Sequence, residues 1–397
     1  MNSILSGIRV LDLSRHISGP HGASLLADLG AEVIRVERPG GEEDRYMGLQ
    51  GPSGDGFMFL NQARNKKAIT LNLMAGGEAL ALFLELVKRS DVLIHNFSTG
   101  AVEQMGISYE RLRAVNKALV YAEITGFGSR GPYARRLGFD QIAQAMSGAM
   151  HLTGFPDTPP QRSEVRYVDF AAGAYAALGI VSALYRRRLT AEGQKVETNL
   201  LQTAVVLNAM AVSEYEATGK KRSRIGNRSW YTGPSDLYRS RDGKWVYISL
   251  VTKGLFRRFC KLIEREDLAE RPDLETDYQR FKKRDEIDVF VKNWVAERDA
   301  SVCEKELQKA RLPCGIVNDV DEVASDPQVA FSSALVDVKL SGGEELKLAG
   351  IPVGLSENPG TVTAPPPATG EHNREIYCGL LGVGDEELSK LIENGII

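Results

Sequence analysis

The alternation of short apolar runs with helix-spaced runs between residues 8 and 125 is the strongest constraint on what this chain can become. Ile8-Arg9-Val10-Leu11-Asp12-Leu13 reads as a buried strand bounded by Gly7 and Ser14. A turn, Ser18-Gly19-Pro20-His21-Gly22, leads into a helix from Ala23 to Leu29 that Gly30 stops. A second strand, Ala31 to Glu37, ends at Pro39-Gly40-Gly41. Strand, turn, helix and strand within about thirty residues make a βαβ unit, so the two strands run parallel with a right-handed crossover. The rhythm repeats with a strand at Asn65–Leu73, a helix at Gly77–Lys88, a strand at Asp91–Phe97, a helix at Tyr109–Val115 and a strand at Leu119–Thr125. Repetition of this kind predicts a doubly wound, mostly parallel sheet. It places Asn96 and Phe97 at a strand's C-terminal end, where open α/β sheets bind ligands. The first turn is not the dinucleotide fingerprint: it lacks the GxGxxG spacing, and Pro20 removes a donor such a loop uses.

Farther along, Gly138-Phe139-Asp140-Gln141 opens a helix expected over Ile142–Leu152, with Asp140 as its cap. A proline turn, Asp157–Arg162, delivers the chain to Arg166-Tyr167-Val168-Asp169-Phe170. The helix expected over Phe170–Arg187 is Ala-, Gly- and Leu-rich through Ala183, so it is buried on most faces. Asp169 at its start has two readings that do not exclude each other. One is an N-cap, accepting from the free amides of the first turn. The other is a partly desolvated carboxylate poised as a nucleophile.

The length, 397 residues, allows two or three domains. A shift after Thr218 suggests a large N-terminal region over 1–218, a solvated basic link over 219–230 and a smaller α/β domain over 231–330. The small domain opens with a hairpin across Arg241-Asp242-Gly243. Beyond it, Ala364-Pro365-Pro366-Pro367 reads as a strap on another surface, and Asp385–Glu393 as a terminal helix. Net charge is −3 with acids and bases intermixed, which argues against nucleic acid as a partner. No 18-residue apolar run is read in the chain, so no membrane span is expected, and no secretory signal is read at the N-terminus. Four scattered cysteines fit a reducing cytosol, and five scattered histidines offer no metal-ligand spacing.

Several stretches together resemble the class III (CaiB/BaiF-type) CoA-transferases, the family of formyl-CoA:oxalate and carnitine CoA-transferases. They are Gly7–Asp12, Gly30–Gly40, Asn65-Lys66-Lys67, Asn96-Phe97, Gly126-Phe127-Gly128, Gly131-Pro132-Tyr133 and Gly193–Val196. The order and spacing match over nearly the whole chain. The resemblance implies a cytoplasmic homodimer of two interlocked ring-like chains. Each would have a large Rossmann-like domain with a mostly parallel sheet, completed by a return segment over 331–397, and a smaller α/β domain. It implies CoA thioesters as substrates, no tightly bound cofactor and no metal.

The family's nucleophilic aspartate falls on Asp169. The implied chemistry is ping-pong, through an aspartyl anhydride and an aspartyl-CoA thioester. The same similarity points to Arg38 near the nucleotide phosphates, and to Leu71 and Asn72 around the adenine. His16, Ile17, Asn96, Phe97, Met105 and Arg136 would lie along the carrier or near the reacting carbonyl. Some relatives carry glutamine at Ile17, which cannot donate a hydrogen bond. Some carry lysine at Leu137, whose charge Arg135 or Arg136 could replace. The region comparable to the glycine-rich loop of formyl-CoA transferase is Ile225–Trp230, so oxalate or formate specificity is not carried over.

The nearest rival is an α-methylacyl-CoA racemase, which is similar in fold and uses a His-Asp pair to move an α-proton. Its histidine would lie at Phe139, which exchanges no proton. A non-catalytic acyl-CoA binding protein would keep Arg38 and Asn96 but need no acid at Asp169. For the acceptor, Arg15, Arg45, Arg162 and Arg166 could clamp the second carboxylate of a small dicarboxylate or hydroxy acid.

Overall fold

The structure is a computed structural model that describes residues 3–397. Its contacts divide the chain into two units. One runs to Met150, resumes over Arg162–Gly219 and again over Pro327–Ile397; the other joins His151–Gln161 to Lys220–Asp326.

The larger unit carries six strands: β1 (Arg9–Asp12), β2 (Glu32–Glu37), β3 (Lys66–Thr70), β4 (Val92–His95), β5 (Val120–Thr125) and β6 (Lys195–Asn199). They form one parallel sheet in the order β3-β2-β1-β4-β5-β6. The sheet grows outward from β1 in one direction and then from β4 in the other. That reversal leaves a crevice at the C-terminal ends of β1 and β4.

Strand alternation divides the core. Val10, Val33, Val92 and Val120 face one way, while Leu11, Ile34, Leu93 and Tyr121 face the other. The helix α1 (Ser18–Asp28) covers the first face. The second face is covered by α2 (Gly77–Lys88), α3 (Tyr109–Val115) and the chain's end, whose Ile376, Tyr377, Leu388 and Leu391 are buried there. Tyr377 also donates to the carbonyl of Thr70 at 2.7 Å. The next helices are α4 (Asp140–Met146), α5 (Tyr167–Thr190) and α6 (Leu200–Leu207).

Several boundaries differ from the sequence reading: α5 runs over Tyr167–Thr190 where Phe170–Arg187 was expected, and β3 ends at Thr70 and not Leu73. α1 starts at Ser18 and not Ala23, because Pro20 lies in the first turn, where a missing N–H costs no helical bond. The helix expected over 142–152 is α4 plus a short turn at Ala149–Leu152, broken where Gly148 takes φ +83°. The apolar run after β6 breaks at Asn208, whose side-chain amide donates to the carbonyl of Ser147 at 2.9 Å.

The expectation that the chain has no 18-residue apolar run is corrected by α5. α5 is long and apolar enough, by length and composition, to cross a membrane; its best 18-residue window has mean hydropathy 1.5 with 44% of it buried. Its buried side, Ala172, Gly173, Ala176, Ala177, Ile180 and Ala183, packs in the core with α1.

In the smaller unit, β7 (Ser235–Arg239) and β8 (Trp245–Ser249) form the expected hairpin, and β9 (Cys314–Ile316) adds antiparallel to β8. Helices Lys253–Leu262, Arg284–Ala296 and Ala300–Lys309 bury Phe259, Val291, Trp294, Val295 and Leu307 against it. The stretch read as a solvated basic link is anchored. The Arg222 cation lies 4.5 Å over the ring of Tyr231, and Arg224 donates to the carbonyls of His151 and Phe155.

Candidate active site

The site is built on the connection between β1 and α1. Ser14, Arg15, His16 and Ile17 turn the chain from strand to helix, and three side chains from other elements hold their backbone. Asp12 accepts from the Ser14 amide at 3.0 Å and from its hydroxyl. Asn96, just past β4, accepts from the Arg15 amide at 2.8 Å and donates to the Arg15 carbonyl at 2.7 Å. Asp44 accepts from the His16 amide at 2.9 Å. This last bond fixes a residue with φ +64°, a left-handed conformation that costs about 1–3 kcal/mol outside glycine.

Asp44 is itself held by Arg35, 2.6 Å away, and both are buried. The helix that follows has few side chains at its start. Pro20 lacks an N–H and His21 bonds back to Ile17, so Ser18 and Gly19 present the first-turn amides that have no helical acceptor.

Asp169 faces this helix start. Gly173, one turn along α5, packs directly on α1. A Cβ there would meet the Ser18 carbonyl oxygen at 2.3 Å, and one on Gly22 would meet the Gly173 carbonyl at 2.9 Å. The two glycines let the helix backbones touch, which brings the Asp169 carboxylate to the Ser18 hydroxyl. Asp169 is 9% exposed. Burial, and then the charge of Asp140, push its pKa up to about 7; Arg166 and the Ser18 hydroxyl pull the other way.

Asp169 is not the cap of its own helix. It is the third residue of α5, and every first-turn amide is taken by another acceptor. Tyr167 donates to Val165 at 2.8 Å and Phe170 to Arg166 at 3.1 Å. Val168 and Asp169 donate to one oxygen of Asp140 at 2.9 and 3.1 Å. Asp140 is likewise not the cap of α4, where it is the first residue; it caps α5 across space.

A cavity of about 660 Å³ opens over the C-terminal ends of β1 to β5. His16, Arg38, Leu71, Asn72, Asn96, Phe97, Met105 and Arg136 all line it, so eight of the residues singled out from the sequence converge. Ile17 does not line it; its side chain is 5% exposed, at the N-cap of α1. Asp169 is not among the residues that line the cavity; its carboxylate meets the Ser18 hydroxyl at the α1 start.

Arg38 and Arg15 converge on Glu42, at 3.8 and 2.9 Å, so one acid presents two cations to the cavity. Phe97 stacks on His95 at 5.6 Å, beneath the Arg15 guanidinium at 5.2 Å. His95 is fully buried and its pKa falls to about 3, so it serves as a neutral platform. Asn72 is braced by the chain's end, its amide donating to Ile396 at 2.8 Å. Arg136 lies 3.9 Å over the ring of Tyr133. Phe139 meets His16 edge to face at 6.0 Å.

Of the four arginines proposed as a carboxylate clamp, Arg45 is excluded. It is 1% exposed and gripped through two nitrogens by Glu37. Arg15 pairs with Glu42, and Arg162 with Glu164 at 2.5 Å. Arg166 has no carboxylate within 4 Å among the described residues, and its Nε is buried without a partner.

A cavity at the switch point of a parallel sheet, lined by Arg15, Arg38 and Arg136, is where an open α/β fold binds its ligand, here one with room for anionic groups. The comparisons agree. A model of CoA-transferase family III matches residues 5–373, and the chain belongs to that family. It is 34% identical over 394 residues to the succinyl-CoA–D-citramalate CoA-transferase of Chloroflexus aurantiacus, covering 99% of this chain and 98% of that protein. It is 35% identical over 417 residues to the formyl-CoA:oxalate CoA-transferase of Streptomyces avermitilis, covering both in full. Among solved structures, a CaiB/BaiF family protein from Brucella suis superposes with a TM-score of 0.84 at 31% identity, covering 96% of this chain and 100% of that one. The protein is therefore a CoA-transferase whose substrates are CoA thioesters.

Proposed function

We propose that the enzyme transfers CoA from an acyl-CoA donor to a small dicarboxylic acid in a ping-pong reaction, with Asp169 as the nucleophile. Asp169 attacks the donor's thioester carbonyl, the C–S bond breaks, and a mixed anhydride and CoA thiolate remain. The thiolate attacks the aspartyl carbonyl and expels the donor acid, leaving an aspartyl-CoA thioester. The acceptor carboxylate attacks that thioester to form a new anhydride. The thiolate then takes the acceptor's acyl group and frees Asp169. Each tetrahedral intermediate carries an oxyanion, for which the Ser18 and Gly19 amides are the nearest preorganised donors. Ile17 contributes no side-chain bond. CoA lies in the cavity, with Arg38 at the phosphates and Leu71 and Asn72 at the adenine.

The observation that carries this reading is a buried carboxylate made basic and aimed at an amide-rich helix start, in a family named for CoA transfer. Its test is mass spectrometry of the full-length enzyme incubated with succinyl-, acetyl- and formyl-CoA and trapped with hydroxylamine. Modification of the peptide carrying Asp169 is the expected result. No adduct with any donor, together with deuterium uptake at a substrate α-carbon, sinks the proposal.

The relatives are named for citramalate and oxalate. Arg166 is the arginine left to receive the acceptor's far carboxylate. Arg166→Gln should lower kcat/KM for succinate about 10- to 100-fold, the worth of one charged hydrogen bond, and leave butyrate within about threefold. Equal losses for the two acceptors would remove Arg166 from this role.

An interlocked homodimer also fits. α5 and the helix Ala209–Thr218 expose Leu178 (64%), Tyr185 (70%), Leu189 (77%) and Met210 (62%), more apolar surface than core helices leave open. Light scattering should give twice the 43.5 kDa chain mass, in the cytosolic form of the enzyme.

A further inference from the structure

Asp140 is the one buried acid near the nucleophile that the reaction scheme does not use. It is 1% exposed, and its contacts form a small closed frame. One carboxylate oxygen accepts from the amides of Val168 and Asp169. The other accepts from the side-chain amide of Gln144, one turn along α4. The Gln144 carbonyl oxygen in turn accepts from the Ser163 amide at 2.9 Å, which pins the segment leading into α5. Asp140 therefore fixes both the start of α5 and the chain before it.

The consequence for Asp169 is chemical as well as geometric. A carboxylate in the first turn of a helix ordinarily folds back on the free amides, and the helix dipole stabilises its charge. That interaction makes the anion less basic and so a poorer nucleophile. Here Asp140 occupies two of those amides, and Val165 and Arg166 occupy the others. Asp169 turns instead to the start of α1.

Each element packed on α5 contributes a known set of charges. α1 brings Ser18 to the carboxylate, with His21 one turn on against Phe170, its pKa lowered to about 4 by burial and so neutral. α4 brings Asp140, and α5 itself brings Arg166. α6 carries no ionisable side chain. On β5 and β6, Glu123 and Glu197 are both paired with Lys195.

We propose that Asp140 is the positioning residue of the nucleophile: it takes the α5 amides from Asp169 and sets a second carboxylate beside it, which keeps the Asp169 carboxylate aimed at α1 and reactive toward a thioester. The proposal rests on the reading of Asp169 as the nucleophile. Its test is the single-turnover rate of Asp169 adduct formation from succinyl-CoA, trapped with hydroxylamine, between pH 5 and 9. Wild type is compared with Asp140→Asn and Asp140→Glu.

Asp140→Asn keeps an oxygen for the amides and loses the charge. Its acid limb should move down by about one pH unit, and its plateau rate should fall at least about tenfold. Asp140→Glu restores the charge and should return the limb toward the wild-type midpoint. Should the amide variant misfold, Asp140→Ser, whose hydroxyl also accepts from a helix-start amide, takes its place with the same expected shift. An unmoved acid limb in the folded neutral variants, with wild type still forming the adduct, overturns the role of Asp140 alone. Failure of wild type to form any adduct overturns the nucleophile reading itself.

Discussion

Asp169→Asn will abolish CoA transfer and, above neutral pH, make the folded protein more stable. The loss of activity follows from the proposed chemistry: an amide forms no anhydride, and removing a covalent nucleophile costs about ten-thousand-fold or more in kcat. The gain in stability follows from burial. The Asp169 carboxyl has a folded pKa of about 7 against an ordinary 3.8, chiefly because burial disfavours its charge and Asp140 repels it.

The sign is fixed by where the proton sits. Below pH 3.8 the folded and unfolded chains both hold it, and Asp169 costs nothing. Between 3.8 and about 7 the unfolded chain releases the proton while the folded chain keeps it, so stability falls as pH rises. Above about 7 both forms are ionised and the full cost is in place. At roughly 1.4 kcal/mol per pH unit, the cost is about 4–4.5 kcal/mol, which an isosteric neutral amide avoids. Urea denaturation of the two proteins from pH 4 to pH 9 measures it. The curves should converge near pH 4 and separate by a few kcal/mol by pH 8. A difference that does not vary with pH would mean that Asp169 is not held in a charge-averse site. The same strain that makes the residue costly makes it a usable nucleophile at neutral pH.

Much of the fold was legible because its signals are local. Short apolar runs with glycine or proline near their ends located five of the six parallel strands to within about three residues, and the Arg241-Asp242-Gly243 turn located the hairpin. The cavity was legible in part for a related reason: the strand pattern put Asn96 and Phe97 at a strand's C-terminal end, whereas Arg38 and Leu71 were singled out by the family resemblance, and all four line it. What the sequence hid depends on pairs distant along the chain. Asp140 and Asp169 each sit where a local rule assigns a helix cap, and each assignment fails because Asp140 caps the other helix, 28 residues away. Arg45 looked like a free cation, yet the short turn at Glu43–Tyr46 folds it back onto Glu37. Asp44, which holds His16 in its left-handed turn, carries no sequence mark at all. The one signal within reach was the pair Gly22 and Gly173, since a glycine inside an otherwise good helix asks for a close neighbour.

Gly173→Ala tests that neighbour. Alanine is the better helix former by about 1 kcal/mol, so on an exposed helix the change would stabilise. At this position the new methyl carbon would stand 2.3 Å from the Ser18 carbonyl oxygen and 3.1 Å from the Gly22 amide nitrogen. Both obstacles are backbone and neither can rotate away, so α1 and α5 must separate by roughly 1 Å. Overpacking of this kind costs about 1–3 kcal/mol, which outweighs the gain in propensity. The larger effect is on the reaction. Asp169 and the amides of Ser18 and Gly19 sit on opposite sides of the crossing, and a displacement near 1 Å between reacting groups costs about a hundredfold.

Gly179→Ala is the matched comparison, because it lies on the same helix and gains the same propensity. Its methyl would meet only the side chain of Val196, at 2.6 Å, which has room to adjust its rotamer. Gly179→Ala should keep near-wild-type rates of Asp169 adduct formation and stability within about 1 kcal/mol. Gly173→Ala should lose most of the rate while still folding. If both variants keep the rate, the close crossing does not set the distance between the nucleophile and its amides. If both lose it, α5 as a whole is intolerant of added volume and the crossing has no special part. Only the split between them ties the reaction to the contact of two backbones at Gly22 and Gly173.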